Sequence, residues 1–177
     1  YIVPTSDFHQ SEYVGEYFKA RKYMTGFTGS AGTAVITKEE AGLWTDGRYF
    51  IQAEKQLEGS TVKLFKMGEE GVPKVEEYVK DHLTEGSCIG FDGRVMDAKS
   101  GEKYAKMAEE KKAALYVKED LVGNIWKDRP QLPANKVWIL EDAYAGRSMA
   151  DKIADVRTQM QKEGADIHIL SSLYDIA

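Results

Sequence analysis

The sequence predicts an α/β domain built around one mixed β-sheet. Short β-branched and aromatic runs bounded by turn residues recur along the first 117 positions. Between most of them lie stretches whose apolar residues fall at helical spacing. One connection, Lys38-Glu39-Glu40, is too short for a crossover helix, so part of the sheet is antiparallel.

The elements follow in order. Tyr1-Ile2-Val3 is a strand closed by Pro4 and the polar Thr5-Ser6-Asp7. Tyr13, Val14, Tyr17 and Phe18 share helical spacing, interrupted by Gly15. The run Gly26-Phe27-Thr28-Gly29-Ser30-Ala31-Gly32 is too rich in glycine for a regular element. Thr33 to Thr37 and Leu43-Trp44-Thr45 form a hairpin. Asp46 then caps a helix with Phe50, Ala53 and Leu57 on one stripe and Gly59 beyond its end. Thr61 to Phe65 alternates as a half-buried strand does. Pro73 suits a first helical position before Val75, Val79 and Leu83, with Gly86 as terminator. Cys88 to Phe91 is a short strand. Asp97 opens a helix running to about Lys112, whose narrow inner face is Ala98, Gly101, Ala105 and Ala108. Leu115 to Val117 is the next strand.

The composition changes near residue 124. Asn124 to Pro133 holds two of the four prolines and no helical period, the pattern of a semi-rigid linker. Beyond it, Val137 to Leu140 is predicted as a strand. Ser148 caps a helix with Met149, Ile153, Val156 and Met160 on one face, ended by Gly164, and Ile167 to Leu170 is a further strand. The tail Ser171-Ser172-Leu173-Tyr174-Asp175 echoes the opening segment, as a weak αβ repeat would. The part after the linker is too short to bury a core unaided, so the chain is expected to be a piece of a longer protein.

Composition excludes several functions. Of 177 residues, 42% are hydrophobic and 30% charged, a globular balance. The net charge of −5 argues against a general nucleic-acid binder. Apolar runs of about five residues fall far short of the ~20 that a membrane-spanning helix needs. A single cysteine, Cys88, excludes an internal disulfide framework and fits a reducing, cytoplasmic setting.

Familiar catalytic patterns are missing. His9, His82 and His168 lie far apart and match no zinc spacing. Cys88, within an apolar strand, reads as a small buried hydrophobe. The glycine run lacks the lysine of a phosphate loop and enters a strand where a nucleotide fold needs a helix. Asp46 and Arg48, flanking Gly47 where a strand meets a helix, form the most interesting pair, because ligand contacts collect at such junctions. By spacing alone they read as a cap plus a local ion pair. Asp46 and Asp92 near strand ends are the only candidates for an acidic, nuclease-type cluster.

Three segments together have a family resemblance: Ile2 to Tyr13, the run TGFTGSAGTAVIT from Thr25, and LWTDGRYFIQAEKQL from Leu43. They resemble the N-terminal domain of three-domain Xaa-Pro aminopeptidases (aminopeptidase P), grouped with prolidase and creatinase. The resemblance continues through Ile125-Trp126-Lys127-Asp128-Arg129-Pro130, Tyr144 to Ser148 and the terminal Ser171 to Ala177. Phe8 and Tyr174 depart from the family pattern.

That resemblance implies a ribonuclease H-like topology: a creatinase/prolidase-type domain over 1–128, then a linker and the start of a second similar αβ domain over 129–177. It also implies that catalysis lies elsewhere. Two divalent ions, usually Mn2+, are held by two aspartates, a histidine and two glutamates of a C-terminal pita-bread domain, and they activate a bridging water. No catalytic residue and no metal ligand is expected in this chain. The arginine of the TDGRY motif, Arg48, is implied as a peptide-binding residue. The implied partners are peptides with proline in second position, the catalytic domain of the same polypeptide, and a second copy in a homodimer. The alternative is a free-standing peptide-binding or interaction module without peptidase activity.

Overall fold

The computed structural model describes residues 1–176, and these fall into two compact units, residues 1–132 and 133–176. In the first unit, four strands line up in the order β1 (Ile2–Pro4), β2 (Thr33–Ile36), β3 (Ala41–Thr45) and β4 (Val62–Lys66). β1–β2 and β2–β3 are antiparallel, whereas β3–β4 is parallel. A second, parallel pair, β5 (Cys88–Gly90) and β6 (Ala114–Tyr116), is tied to β1 by a single parallel bridge between Ile2 and Phe91. The predicted mixed sheet flanked by helices is therefore what the chain forms.

β3 runs through the centre. Leu43, Trp44 and Thr45 are fully buried, as expected of a strand covered on both faces. Alternation sends their side chains to opposite sides. Leu43 joins Phe27, Ala53 and Leu57 beneath α2 (Phe50–Leu57). Trp44 joins the larger cluster under α3 (Val75–His82) and α4 (Ala98–Glu110). There its ring stacks on Phe65 at 4.0 Å between centroids, meets Tyr78 edge-on, and donates Nε1–H to Pro73 O at 2.8 Å. Gly42 leaves room for that stack: a Cβ there would lie 2.6 Å from the Phe65 ring and 2.7 Å from Trp44.

Several boundaries differ from the sequence expectation. Gly15 is extended, so the helix expected around Tyr13 is reduced to a 3-10 turn at Glu16–Phe18, followed by α1 (Ala20–Thr25). Pro73 lies outside α3. Lys74 is the cap, its N–H bonded to Glu77 at 2.8 Å, and the helix ends before Leu83 rather than at Gly86. α4 buries Tyr104, Met107 and Ala108, while Ala98 is exposed, so its inner face is wider than the expected stripe of small residues. The expected linker begins inside α5 (Leu121–Ile125), capped by Asp120. Its residues up to Leu132 belong to the first unit: Trp126 stacks on Tyr23, and Arg129 pairs with Asp120 and donates Nε–H to Tyr17 O at 2.8 Å.

The second unit contains α6 (Asp142–Ala145), α7 (Met149–Glu163) and α8 (Leu173–Ile176). α7 has the caps read from sequence, Ser148 accepting from Asp151 N–H and Gly164 at φ 65°. The two expected strands are absent among the described residues. A strand exists through its ladder, and Val137–Leu140 and Ile167–Leu170 have none; Val137 and Ile139 are almost fully exposed. The echo of the opening segment therefore does not extend to a matching strand.

The β2–β3 turn carries a polar cluster with a measurable consequence. Glu40 accepts from Lys63 and from the Tyr78 hydroxyl, with His82 Nε2 at 3.9 Å. The Lys63 bond, aided by Tyr78, holds the Glu40 carboxyl below its ordinary value of 4.5. A carboxyl lowered on folding adds stability above its unfolded value and loses it as pH falls through the folded one. Glu40→Gln is expected to flatten the acid side of the stability curve below about pH 4.5. Urea titrations across that range check this, and superimposable slopes would contradict it.

Candidate functional site

The most exposed chemistry sits where β3 runs out. Asp46 ends the strand in an extended conformation and accepts the Arg48 backbone N–H at 3.1 Å, opening a 3-10 turn over Gly47–Tyr49 that leads into α2. The same carboxylate takes Arg48 side-on, Nε to Oδ1 at 2.8 Å and Nη2 to Oδ2 at 2.9 Å. The cap and the local pair read from spacing are both present. This bond holds the Asp46 carboxyl below its ordinary range and raises the Arg48 guanidinium. Arg48 stays 69% exposed, and its outer Nη1–Nη2 edge has no partner among the described residues. A charged, planar donor held from behind by a carboxylate is suited to grip a carbonyl or carboxylate.

A second Asp-Gly-Arg, Asp92-Gly93-Arg94, repeats this geometry after β5. Arg94 N–H and Nε reach Asp92 Oδ1 at 3.0 Å, and Nη2 reaches Oδ2 at 2.9 Å. Here the carboxylate is buried and Arg94 lies against the Phe8 ring, 3.8 Å from Asp120. Asp-Gly-Arg is thus a local turn device, and Arg48 differs from Arg94 in having no second carboxylate within ion-pair distance among the described residues. The repeat is visible in the sequence, but spacing alone does not tell the two copies apart.

The glycine-rich loop forms the wall beside Arg48. The Arg48 guanidinium lies 5.3 Å from the centre of the Tyr49 ring, and Tyr49 Oη is 2.6 Å from Ser30 Oγ. Gln52 and Gln56 of α2 each donate to Thr28 Oγ1 at 2.9 Å, and Thr28 N–H returns a bond to Gln56. From below, the buried Arg21 donates to Thr5 Oγ1 at 2.7 Å, to Phe27 O at 2.9 Å and to Gly29 O. Gly29 has no space for a side chain, since a Cβ would lie 2.8 Å from Tyr49 and closer still to Phe27. The loop is therefore a fixed surface, which a positioning role requires. Arg21 was not singled out from sequence; a lone arginine in an amphipathic stretch carries no signal of burial.

The remaining candidates are not brought together into a metal site among the described residues. His82 stacks on Tyr78 with Nδ1 2.8 Å from Tyr78 O, while His9 and His168 are exposed. Cys88 is exposed, correcting the expectation of burial, because alternation turns Ile89 inward in its place. Asp46 and Asp92 are each engaged by their own arginine. Among the described residues, no three His, Cys, Asp or Glu side chains are placed to hold a metal ion. The residues present therefore do not fit a two-metal centre, and no hydrolytic step is assigned to them. No helix among them is long and apolar enough to cross a membrane.

A mixed sheet flanked by helices, with a clamped glycine loop and an arginine just past the end of one of its inner strands, defines the class of the first unit as an α/β domain. The chain belongs to the Creatinase/Prolidase N-terminal domain family, whose pattern matches residues 14–119; a second pattern of the same description matches residues 128–177. It is 42% identical over its full length to Aminopeptidase P2 of Arabidopsis thaliana, covering 25% of that protein. It is also 42% identical to a probable Xaa-Pro aminopeptidase P of Pyrenophora teres f. teres, covering 27%. An X-prolyl aminopeptidase from Caenorhabditis elegans, described as a cytosolic enzyme with a di-nuclear active site, superposes with a TM-score of 0.80 and 34% identity. That match covers 94% of this chain and 27% of the other. The chain thus spans about a quarter of the length of the curated relatives it matches.

Proposed function

We propose that this chain is the noncatalytic N-terminal portion of a cytoplasmic, metal-dependent Xaa-Pro aminopeptidase, which removes the residue preceding a proline in second position. In this reading, residues 1–128 form the first domain, and 129–177 supply the linker and the start of a second similar one. A separate catalytic domain of the same polypeptide holds two divalent ions, Mn2+ in the family pattern, which would supply the activated water. The full-length protein works as a homodimer. The part assigned to this chain is to shape access to the cleft and to grip the peptide through Arg48.

The observation that carries the reading is the outer edge of Arg48, open and held in place by Asp46, beside a glycine-rich loop clamped from both sides. Relatives named as Xaa-Pro aminopeptidases support the reaction class. The test is to truncate the Arg48 side chain in the full-length peptidase and follow kcat/KM on an Xaa-Pro peptide against thermal stability.

A further inference from the structure

Beside Arg48 lies a cavity of about 160 Å³, lined by Thr5, Glu12, Tyr13, Lys19, Arg21, Lys22 and the loop residues Thr28 to Ser30. It is linked to Arg48 through the loop: Ser30 lines it and is bonded to Tyr49, on whose ring the Arg48 guanidinium rests. Its walls carry three cations and one carboxylate. Lys19 is neutralised by Glu16. Arg21 is 96% buried, its three bonds all go to neutral oxygens, and burial lowers it to about 10. Among the described residues, neither Arg21 nor Lys22 has a carboxylate within ion-pair distance. Arg48, by contrast, is already matched by Asp46. Against these cations stand Glu12 on the wall and Glu16, which is paired with Lys19 and also attracts Lys22, so the excess of positive charge at this edge lies in the cavity rather than on Arg48.

Burying a guanidinium without a counter-charge is costly, and an anion that enters recovers part of that cost. The ligand's chemistry follows from the direction of the substrate, a step that rests on the proposed function. An aminopeptidase engages the amino end of its peptide at the hydrolytic centre, so the part reaching this domain is the downstream end. In a short peptide the one obligatory charge of that end is a carboxylate. Tyr13, 74% exposed at the rim, offers an apolar face for the side chain next to it.

We infer that the cavity receives a carboxylate of the downstream part of the peptide, held by Lys22 and Arg21, and so favours short peptides that end or carry an acid there. The experiment uses the full-length peptidase and one Xaa-Pro-Xaa-Xaa peptide in three forms: free acid, carboxyl-terminal amide, and amide with glutamate at the last position. Wild type is expected to prefer the free acid over the plain amide by about fivefold to tenfold in kcat/KM, mainly through KM. Lys22→Glu, at an exposed position, is expected to bring the acid-to-amide ratio close to one, with a thermal melt confirming that the variant is folded. Preference for the glutamate amide as well shows that a side-chain carboxylate is accepted; preference for the free acid alone restricts the cavity to the terminus; either supports the inference. Equal rates for all three forms in wild type, or a ratio unmoved by Lys22→Glu, would overturn it. Arg48→Ala separates the two readings. If it lowers turnover of acid and amide alike while the ratio ignores Lys22, the Arg48 reading stands and the cavity inference fails. If the ratio depends on Lys22 while Arg48→Ala changes nothing, the cavity binds its carboxylate and the Arg48 assignment fails.

Discussion

Trp44→Ala is expected to lower the unfolding free energy of this chain by about 3–5 kcal/mol, the usual range for emptying a fully buried aromatic site. Trp44 is completely enclosed, stacks on Phe65, meets Tyr78 edge-on and binds the Pro73 carbonyl. Truncation leaves a cavity between the sheet and α3 and strips the Pro73 carbonyl of its donor. Collapse is limited, because Phe65 and Tyr78 are held by their own strand and helix. Trp44→Phe keeps most of the stack and loses the hydrogen bond, so roughly 1 kcal/mol is expected. Urea denaturation followed by circular dichroism checks both, with the exposed Ile51→Ala as a reference within about 0.5 kcal/mol of wild type. A loss below 1 kcal/mol for Trp44→Ala would show that β3 is not the strand on which this core is built. The site depends on that strand, since Thr45 leads straight into Asp46 and Arg48.

Arg48→Ala separates binding from stability. In the full-length peptidase it is expected to reduce kcat/KM for an Xaa-Pro peptide by roughly tenfold to a hundredfold, about 1.5–3 kcal/mol of recognition. Its folding cost is small. The Asp46 pair is solvent-exposed, exposed pairs contribute at most about 1 kcal/mol, and the Asp46 cap to the backbone survives the substitution. Arg48→Lys keeps the charge but loses the planar edge and is expected to recover only part of the loss. Steady-state kinetics beside a thermal melt settle the matter. Unchanged kinetics remove the substrate role, and a large fall in melting temperature assigns Arg48 to the turn alone, as Arg94 is in the second Asp-Gly-Arg.

Much of this was legible because the first unit buries its elements in a regular way. The central strand announces itself through Leu43-Trp44-Thr45, apolar on both faces, and the capping residues Asp46, Asp97 and Ser148 act where their side chains predict. Misreadings arose where local pattern and tertiary context part. Cys88 sits in an apolar run, yet a three-residue strand turns Ile89 inward and Cys88 outward. Val137–Leu140 and Ile167–Leu170 have the composition of strands, but pairing comes from a neighbour and composition does not supply one. The linker's prolines conceal that Trp126 and Arg129 are packed within the first unit through aromatic stacking and a hydrogen bond, contacts between residues about 100 positions apart.

The site was half legible. Asp46 and Arg48 are adjacent in sequence, so their pairing could be read directly. Arg21 and the cavity above it depend on Thr5, Phe27 and Gly29 converging from separate segments, and no spacing encodes that.

The sharpest measurement is a turnover assay of the purified 177-residue chain with Mn2+ and an Xaa-Pro peptide, beside the full-length protein. The chain is expected to release no amino-terminal residue above the buffer rate while the full-length protein does. Release that co-elutes with the 177-residue chain through successive columns would place the hydrolytic centre within these residues and contradict a purely access-shaping role.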